Sequence, residues 1–230
     1  MKKTSCLILA FCLLGVILAR PAGAVELNAA VTAITVKGNK VIPEREILDV
    51  VFTRVGETIL QEKLNSDVKA IYALGYFADV ATTFEGYAGG TKILFIVKEN
   101  PQVKNIIIEA NTVYPTAEIT GWLSTEVGRI LNFQTLQSDI EKINDHYKAN
   151  GYVLARVANV DTDEKTGTLR LKIIEGIIES IALEGNDQTQ DYVILRELRT
   201  KPGSVLNQDR LKGDLRRIFA AIVVDRDGQK

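Results

Sequence analysis

The sequence predicts an α+β protein built of tandem β-α-α-β-β units, each a three-stranded mixed sheet covered on one face by two helices. Three observations carry this prediction: a spacing of landmark residues kept in three copies, apolar alternation running into turn residues, and apolar stripes at helical spacing. In the first copy Ile34 and Val36 alternate into Gly38-Asn39, in the second Ile106 and Ile108 lead to Ala110-Asn111, and in the third Ile181 and Leu183 lead to Gly185-Asn186. Gly56, Gly128 and Gly203 each fall eighteen positions after the residue that opens the turn. Leu64, Leu136 and Leu211 follow eight later, then Asp67, Asp139 and Asp214 after three, then Ile71, Ile143 and Ile218 after four.

The opening alternation is a short strand, and Gly-Asn is a turn pair that tolerates positive φ. A first helix follows, with Pro43 in its first turn ahead of Ile47, Leu48, Val51 and Phe52; its second-copy counterpart carries Ile119, Trp122 and Leu123. Leu64, Val68, Ile71 and Leu74 fall on one face of a second helix that Gly75 ends. Leu136, Ile140, Ile143 and Tyr147 do the same before Gly151, about one helical turn longer. Residues 77–84 and 92–98 then read as strands joined by the glycine-rich turn at 86–90, and residues 153–160 and 169–174 as strands around a turn at 161–167. Leu169, Leu171 and Ile173 alternate with Arg170 and Lys172, the pattern of a sheet with one covered and one wet face. The third copy supplies a strand at 180–183 and helices at 192–198 and 211–221, with no closing pair of strands. The predicted organisation is a leader at 1–24, units at 25–100 and 101–176, and an incomplete unit at 177–230.

Lys2-Lys3, an apolar run over residues 7–19, and the small residues Ala22 and Ala24 read as a secretory signal peptide. The run is shorter than the roughly 20 residues that cross a bilayer, and Cys12 follows the bulky Phe11, unlike a lipoprotein site. Both cysteines and the only methionine lie in this leader, so a processed chain has no thiol for disulfides, metal sites or nucleophilic catalysis. Removing Lys2, Lys3 and Arg20 leaves 28 − 3 = 25 basic against 29 acidic residues, a net charge of −4, which gives nucleic acid no electrostatic footprint.

The chemistry-bearing residues are sparse. His146 is the only histidine and reads as a solvated or capping residue near a helix C-terminus. Asp161, Asp163 and Glu164 before Gly167 lack the spacing of a calcium loop and read as a polar hairpin turn. Gly89-Gly90-Thr91-Lys92 has the wrong order for a phosphate loop, and no nucleophile elbow or zinc-helix motif occurs. Asp67, Asp139 and Asp214 read as solvated or helix-pair residues, and Trp122 as a core anchor. No catalytic, cofactor-binding or metal-binding residue is expected, and no small-molecule substrate.

The order of elements, with Gly38-Asn39, Leu64-x-x-Asp67-x-x-x-Ile71, Gly75-Tyr76-Phe77 and Val97-Lys98-Glu99-Asn100-Pro101, resembles POTRA domains, and in particular those of BamA-type outer-membrane protein assembly factors. The second copy carries the resemblance through Leu136, Asp139, Ile143 and Gly151-Tyr152, the third through Glu184-Gly185-Asn186 and residues 211–218. The resemblance implies an exported protein on the periplasmic side of the outer membrane. It also implies unfolded outer-membrane proteins and accessory lipoproteins as partners, and a membrane barrel C-terminal to the repeats in the full-length protein. Residues 218–230 do not continue into the strands of a barrel, which needs about eight of ~9–11 residues each, so these 230 residues are not expected to insert a client alone.

A three-stranded sheet keeps free edges, whose unpaired backbone groups accept an extended chain. By resemblance the edge is the strand after the helix pair. The candidate client-binding residues are therefore Phe77, Ala78, Asp79, Val80, Ala81, Thr82, Thr83 and Phe84 in the first unit, and Val153, Ala155, Val157 and Asn159 in the second. The other roles compatible with the resemblance are the POTRA region of a two-partner secretion transporter and an accessory domain of an exported POTRA-bearing lipase.

Overall fold

A computed structural model describes residues 30–187 and 189–226; the segment read as an export signal, residues 1–24, lies outside them. Unit 1 comprises β1 (Val31–Lys37), α1 (Glu44–Asp49), α2 (Gln61–Ala73), β2 (Phe77–Tyr87) and β3 (Gly90–Glu99). Unit 2 repeats the order as β4 (Asn105–Glu109), α3 (Thr116–Trp122), α4 (Phe133–Ala149), β5 (Arg156–Asp163) and β6 (Thr168–Ile174). Helices α5 (Asp191–Leu195) and α6 (Gln208–Arg226) follow.

In both sheets the last strand lies in the middle, in the orders β1-β3-β2 and β4-β6-β5. The hairpin makes β2 antiparallel to β3, whereas β1 runs parallel to β3 because the helix pair carries the chain back across the sheet. The same mixed pairing holds in unit 2. Alternation on the central strands sends Ile93, Phe95 and Val97 in unit 1, and Leu169, Leu171 and Ile173 in unit 2, into the core. There they meet the helix stripes, Ile47, Leu64 and Ile71 in one unit and Ile119, Leu136, Ile143 and Tyr147 in the other. Gly38 sits at φ +101°, and an added Cβ would lie 2.0 Å from the Val97 carbonyl, so only glycine fits the first turn beside the sheet.

Several boundaries differ from the sequence reading. The first hairpin is longer than 77–84 and 92–98, with only Ala88 and Gly89 in the turn, both at positive φ (50° and 78°), the requirement of a tight type I′ turn. Pro43 lies at the N-cap of α1 in extended conformation rather than within its first turn. The helix stops at Asp49, so Val51 and Phe52 lie beyond it. The strand expected at 153–160 begins only at Arg156, because Tyr152 N–H donates to the Tyr147 carbonyl and Ala155 N–H to the Tyr152 carbonyl, spending residues 152–155 on an extra turn.

The strand expected at 180–183 is not formed. In the order seen in units 1 and 2 the first strand pairs only with the last strand of its own unit, and no such strand follows α6 among the described residues. What remains is the contact all three units share: Ile177 bridges to Val205 as Ala30 does to Thr58 and Gln102 to Ile130, and Ile178 exchanges backbone hydrogen bonds with Gly203 and Ser204.

Candidate functional site

The strand orders leave β2 and β5 at sheet edges, together with β1 and β4 on the opposite sides. The tight turn at Ala88-Gly89 makes Tyr87 and Gly90 a hydrogen-bonded pair, and pairs alternate from there along the antiparallel ladder. Asp79, Ala81, Thr83 and Glu85 therefore bond to β3, while the backbone groups of Val80, Thr82, Phe84 and Gly86 point away from it. Val80, Thr82 and Phe84 are half-buried, and Val80 and Phe84 pack on the core, whereas Asp79, Ala81 and Thr83 are exposed on the open face. Phe77 is buried and Ala78 is the extra residue of a bulge at the start of the strand.

In unit 2 the expected residues are less coherent. Val153 is exposed and Ala155 buried in the core, and both precede β5, so neither belongs to the edge. Val157 and Asn159 lie on β5, separated by a bulge at Ala158. The Val157 N–H is already taken by Asn144 Oδ1 of α4 at 2.9 Å.

Buried carboxylates tie the second helix of each unit to the chain that leaves the first. Asp67, Asp139 and Asp214 are fully buried, correcting the expectation of solvated residues. Each accepts backbone N–H groups from the chain leaving the first helix of its unit: Phe52 and Thr53, Ser124 and Thr125, Arg199 and Thr200. Burial, the largest influence, pushes the Asp139 carboxyl up, but hydrogen bonds from Ser124, Thr125 and Lys142 outweigh it and hold the group below its ordinary value. Asp214 is held low in the same way by Thr200, Arg199 and the Arg217 guanidinium against its burial. The partner threonines Thr53, Thr125 and Thr200 recur fourteen positions before each aspartate, a signal that the sequence reading missed.

A second carboxylate closes each complete sheet. Glu99 Oε1 accepts the N–H groups of Lys40, Val41 and Ile42 at 2.8, 2.9 and 2.8 Å. Glu175 accepts those of Thr112 and Val113 and the Tyr147 hydroxyl. Burial opposes ionisation of both, and the donors overcome it, so both carboxyls lie below their usual range. Burial, and then Glu175, push the Tyr147 phenol up.

The junctions between units are hydrogen-bonded as well. Asn132 caps α4 through Gln134 and Thr135 N–H, and its amide donates to the Leu74 carbonyl at 2.8 Å. Phe133 N–H donates to the Gly75 carbonyl, and Asn100 bridges Gly75 to Leu131. Asn207 and Gln208 repeat the contact on Asn150 and Gly151.

The remaining singular residues carry no reacting constellation. His146 is exposed and stacks on Trp122, with centroids 4.2 Å apart, and Trp122 is half-buried against the core. Asp163 organises the second hairpin turn through Lys165 and Thr166. Among the described residues no cluster of acidic, histidine or cysteine side chains has the form of a metal site, and no helix is long and apolar enough to cross a membrane. The arrangement offers backbone donors and acceptors rather than a nucleophile or an acid-base pair.

Residues 29–100, 101–176 and 177–222 each match the family described as surface antigen variable number repeat, POTRA. The outer membrane protein assembly factor BamA of Nitratidesulfovibrio vulgaris is 31% identical over 189 residues, 77% of this chain and 24% of that protein. The chloroplastic outer envelope protein 80 of Arabidopsis thaliana is 24% identical over 75% of this chain and 24% of its own length. The chain thus spans about a quarter of the curated relatives it matches. The N-terminal domain of Omp85 from Thermosynechococcus elongatus superposes with a TM-score of 0.76 at 33% identity, covering 85% of this chain and 86% of that one. POTRA1-3 of the periplasmic domain of Omp85 from Anabaena gives 0.68 at 29% identity, with 84% and 85% covered.

Proposed function

The chain belongs to the POTRA family, and from that membership we propose that it is the POTRA scaffold of a BamA-like outer-membrane protein assembly factor. In this reading it works on the periplasmic side of the outer membrane after export, and a C-terminal membrane barrel belongs to the full-length protein. It binds rather than catalyses: unfolded outer-membrane proteins add a strand to a sheet edge, and accessory lipoproteins dock on the repeats. The units are bounded at residues 100–101 and 176–177.

Relatives named as assembly factors and a solved periplasmic domain of the same fold support the setting. The observation that carries the binding mode is the placement of β2 outside β3, with unpaired donors and acceptors at every second residue from Val80 to Gly86. Main-chain pairing is nearly blind to side-chain identity, which suits a binder of many different β-rich clients.

Replacing Val80 and Thr82 together by proline removes two outward donors without touching the bonds to β3. Two lost hydrogen bonds of about 1 kcal/mol each weaken capture of an extended β-rich peptide roughly tenfold or more, with helical circular dichroism retained. Unchanged affinity in the folded variant would rule out strand addition at unit 1.

A further inference from the structure

The four edges of the two complete sheets are not equivalent. β2 is eleven residues long, its bulge lies at its very start, and four successive outward residues, Val80, Thr82, Phe84 and Gly86, follow without interruption. β5 has only eight residues and its bulge at Ala158 is the third of them, so the regular stretch that follows is five residues long and leaves Val160 and Thr162 as its outward pair. The chain itself occupies part of that edge, since Asn144 accepts the Val157 N–H. Asn144 follows Ile143 on α4; the residue that follows the matching Ile71 on α2 is Tyr72, whose exposed side chain places no amide on β2.

The other two edges are short or stoppered. The Val36 N–H of β1 is taken by Glu44 Oε1 at 2.9 Å, and β4 has only five residues. A covered edge amide, a bulge that twists the edge away and a very short edge strand are among the ways in which sheets refuse an incoming strand.

We infer that strand addition is confined to unit 1: the outer edge of β2 is the acceptor, and unit 2 is closed to it by the Ala158 bulge and Asn144. The inference rests on the strand-addition reading above and narrows it to one edge. The ligand follows from what flanks that edge. On one side the added strand continues the layer of Val80 and Phe84 over the apolar core; on the other it lies beside the exposed Asp79, Ala81 and Thr83. It is therefore an extended segment of about seven residues, the span from Val80 to Gly86, apolar on the side that continues the layer of Val80 and Phe84 and polar on the other. One chain takes one such segment.

The test reads backbone amides directly and needs no destabilising variant. The whole chain is titrated with a nine-residue peptide alternating valine with threonine and lysine, and amide exchange is followed residue by residue. The expected result is one peptide per chain, with amide exchange slowed at least tenfold at Val80, Thr82, Phe84 and Gly86 and within twofold of the free chain at Val160 and Thr162. Equal slowing at Val160 and Thr162 would overturn the confinement to unit 1 while leaving strand addition standing. Saturable binding that slows none of these amides, or no binding at all, would overturn strand addition itself and the inference with it. As a second arm, Val160→Pro with Thr162→Pro should leave affinity for the peptide within twofold of wild type; a tenfold loss in a folded variant would count against the inference.

Discussion

Asp139 is fully buried, and its carboxylate accepts the N–H groups of Ser124 and Thr125 at 2.9 and 2.8 Å and the Thr125 hydroxyl at 2.8 Å. Replacing it by alanine leaves those buried donors without an acceptor, a loss of about 3 kcal/mol, to be measured as a shift in the urea midpoint of unit 2. Ionisation makes the same contact sensitive to acid. Asp139, Glu99, Glu175 and Asp214 are all held below their ordinary values in the folded chain, so the unfolded chain binds more protons in the acid range. Their contribution is complete above the ordinary carboxylate values, about 4, and is lost as pH falls through the depressed folded ones. Urea midpoints should thus be level near neutrality and fall steeply below about pH 4, with a shallower fall in Asp139→Asn. The recurrence of these aspartates was visible in the spacing alone, but their burial was not. A carboxylate beside an apolar stripe looks the same whether it faces water or a loop returning over the helix, and only the threonine fourteen residues earlier marks the second case.

Elements were legible wherever their determinants are local. The helix stripes, the turn glycines and the alternation on β6 each depend on a few neighbouring residues, and the helices and hairpins formed where those patterns lie. Boundaries set by partners were not legible: β5 starts late because residues 152–155 turn back on Tyr147, and the bulge at Ala158 leaves no mark in the pattern of apolar residues. The junction is of the same kind. Asn132 and Asn207 stand four residues before Leu136 and Leu211, where unit 1 has Leu60, and only the folded chain shows that they join one unit to the one before. Asn132 has two duties, and substitution can separate them. Asn132→Asp keeps the oxygen that caps α4 but loses the donor to the Leu74 carbonyl, whereas Asn132→Ala loses both. The alanine variant should cost unit 2 about 1 kcal/mol as a lost cap, and the aspartate variant less than half of that. Both should loosen the orientation of unit 2 against unit 1, read as residual dipolar couplings that no longer fit a single alignment of the two units. Couplings that still fit one alignment in both variants would assign the rigidity to Asn100 and Phe133 instead.

Across the whole molecule, stability should fall off toward the C-terminal side. Units 1 and 2 each close a sheet over a helix pair, with Ile71 and Ile143 fully buried and Ile173 nearly so. Residues 177–226 keep the local devices of a unit: Gly185 at positive φ, Asn186 bonded to the Thr189 carbonyl, Asp214 clamping Arg199 and Thr200, and Asn207 on the preceding unit. They have no sheet among the described residues: Leu211 and Ile218 are half-buried where Leu64, Leu136, Ile71 and Ile143 are buried, and Leu215 stands 58% exposed where Val68 and Ile140 are half-buried. Each side chain of that size contributes roughly 1.5–3 kcal/mol when fully buried, against a total of about 5–15 kcal/mol for a stable domain. Two or three uncovered side chains are therefore a large share of what a unit of this size has to hold itself together. Amide exchange of the 230-residue chain should show strong protection at Ile71, Ile143 and Ile173 and little at Ile218, and limited proteolysis should cut first beyond Gly176. Protection of Ile218 equal to that of Ile143 would mean that strands from another chain cover α6, and the oligomeric state measured in the same sample would then have to exceed one.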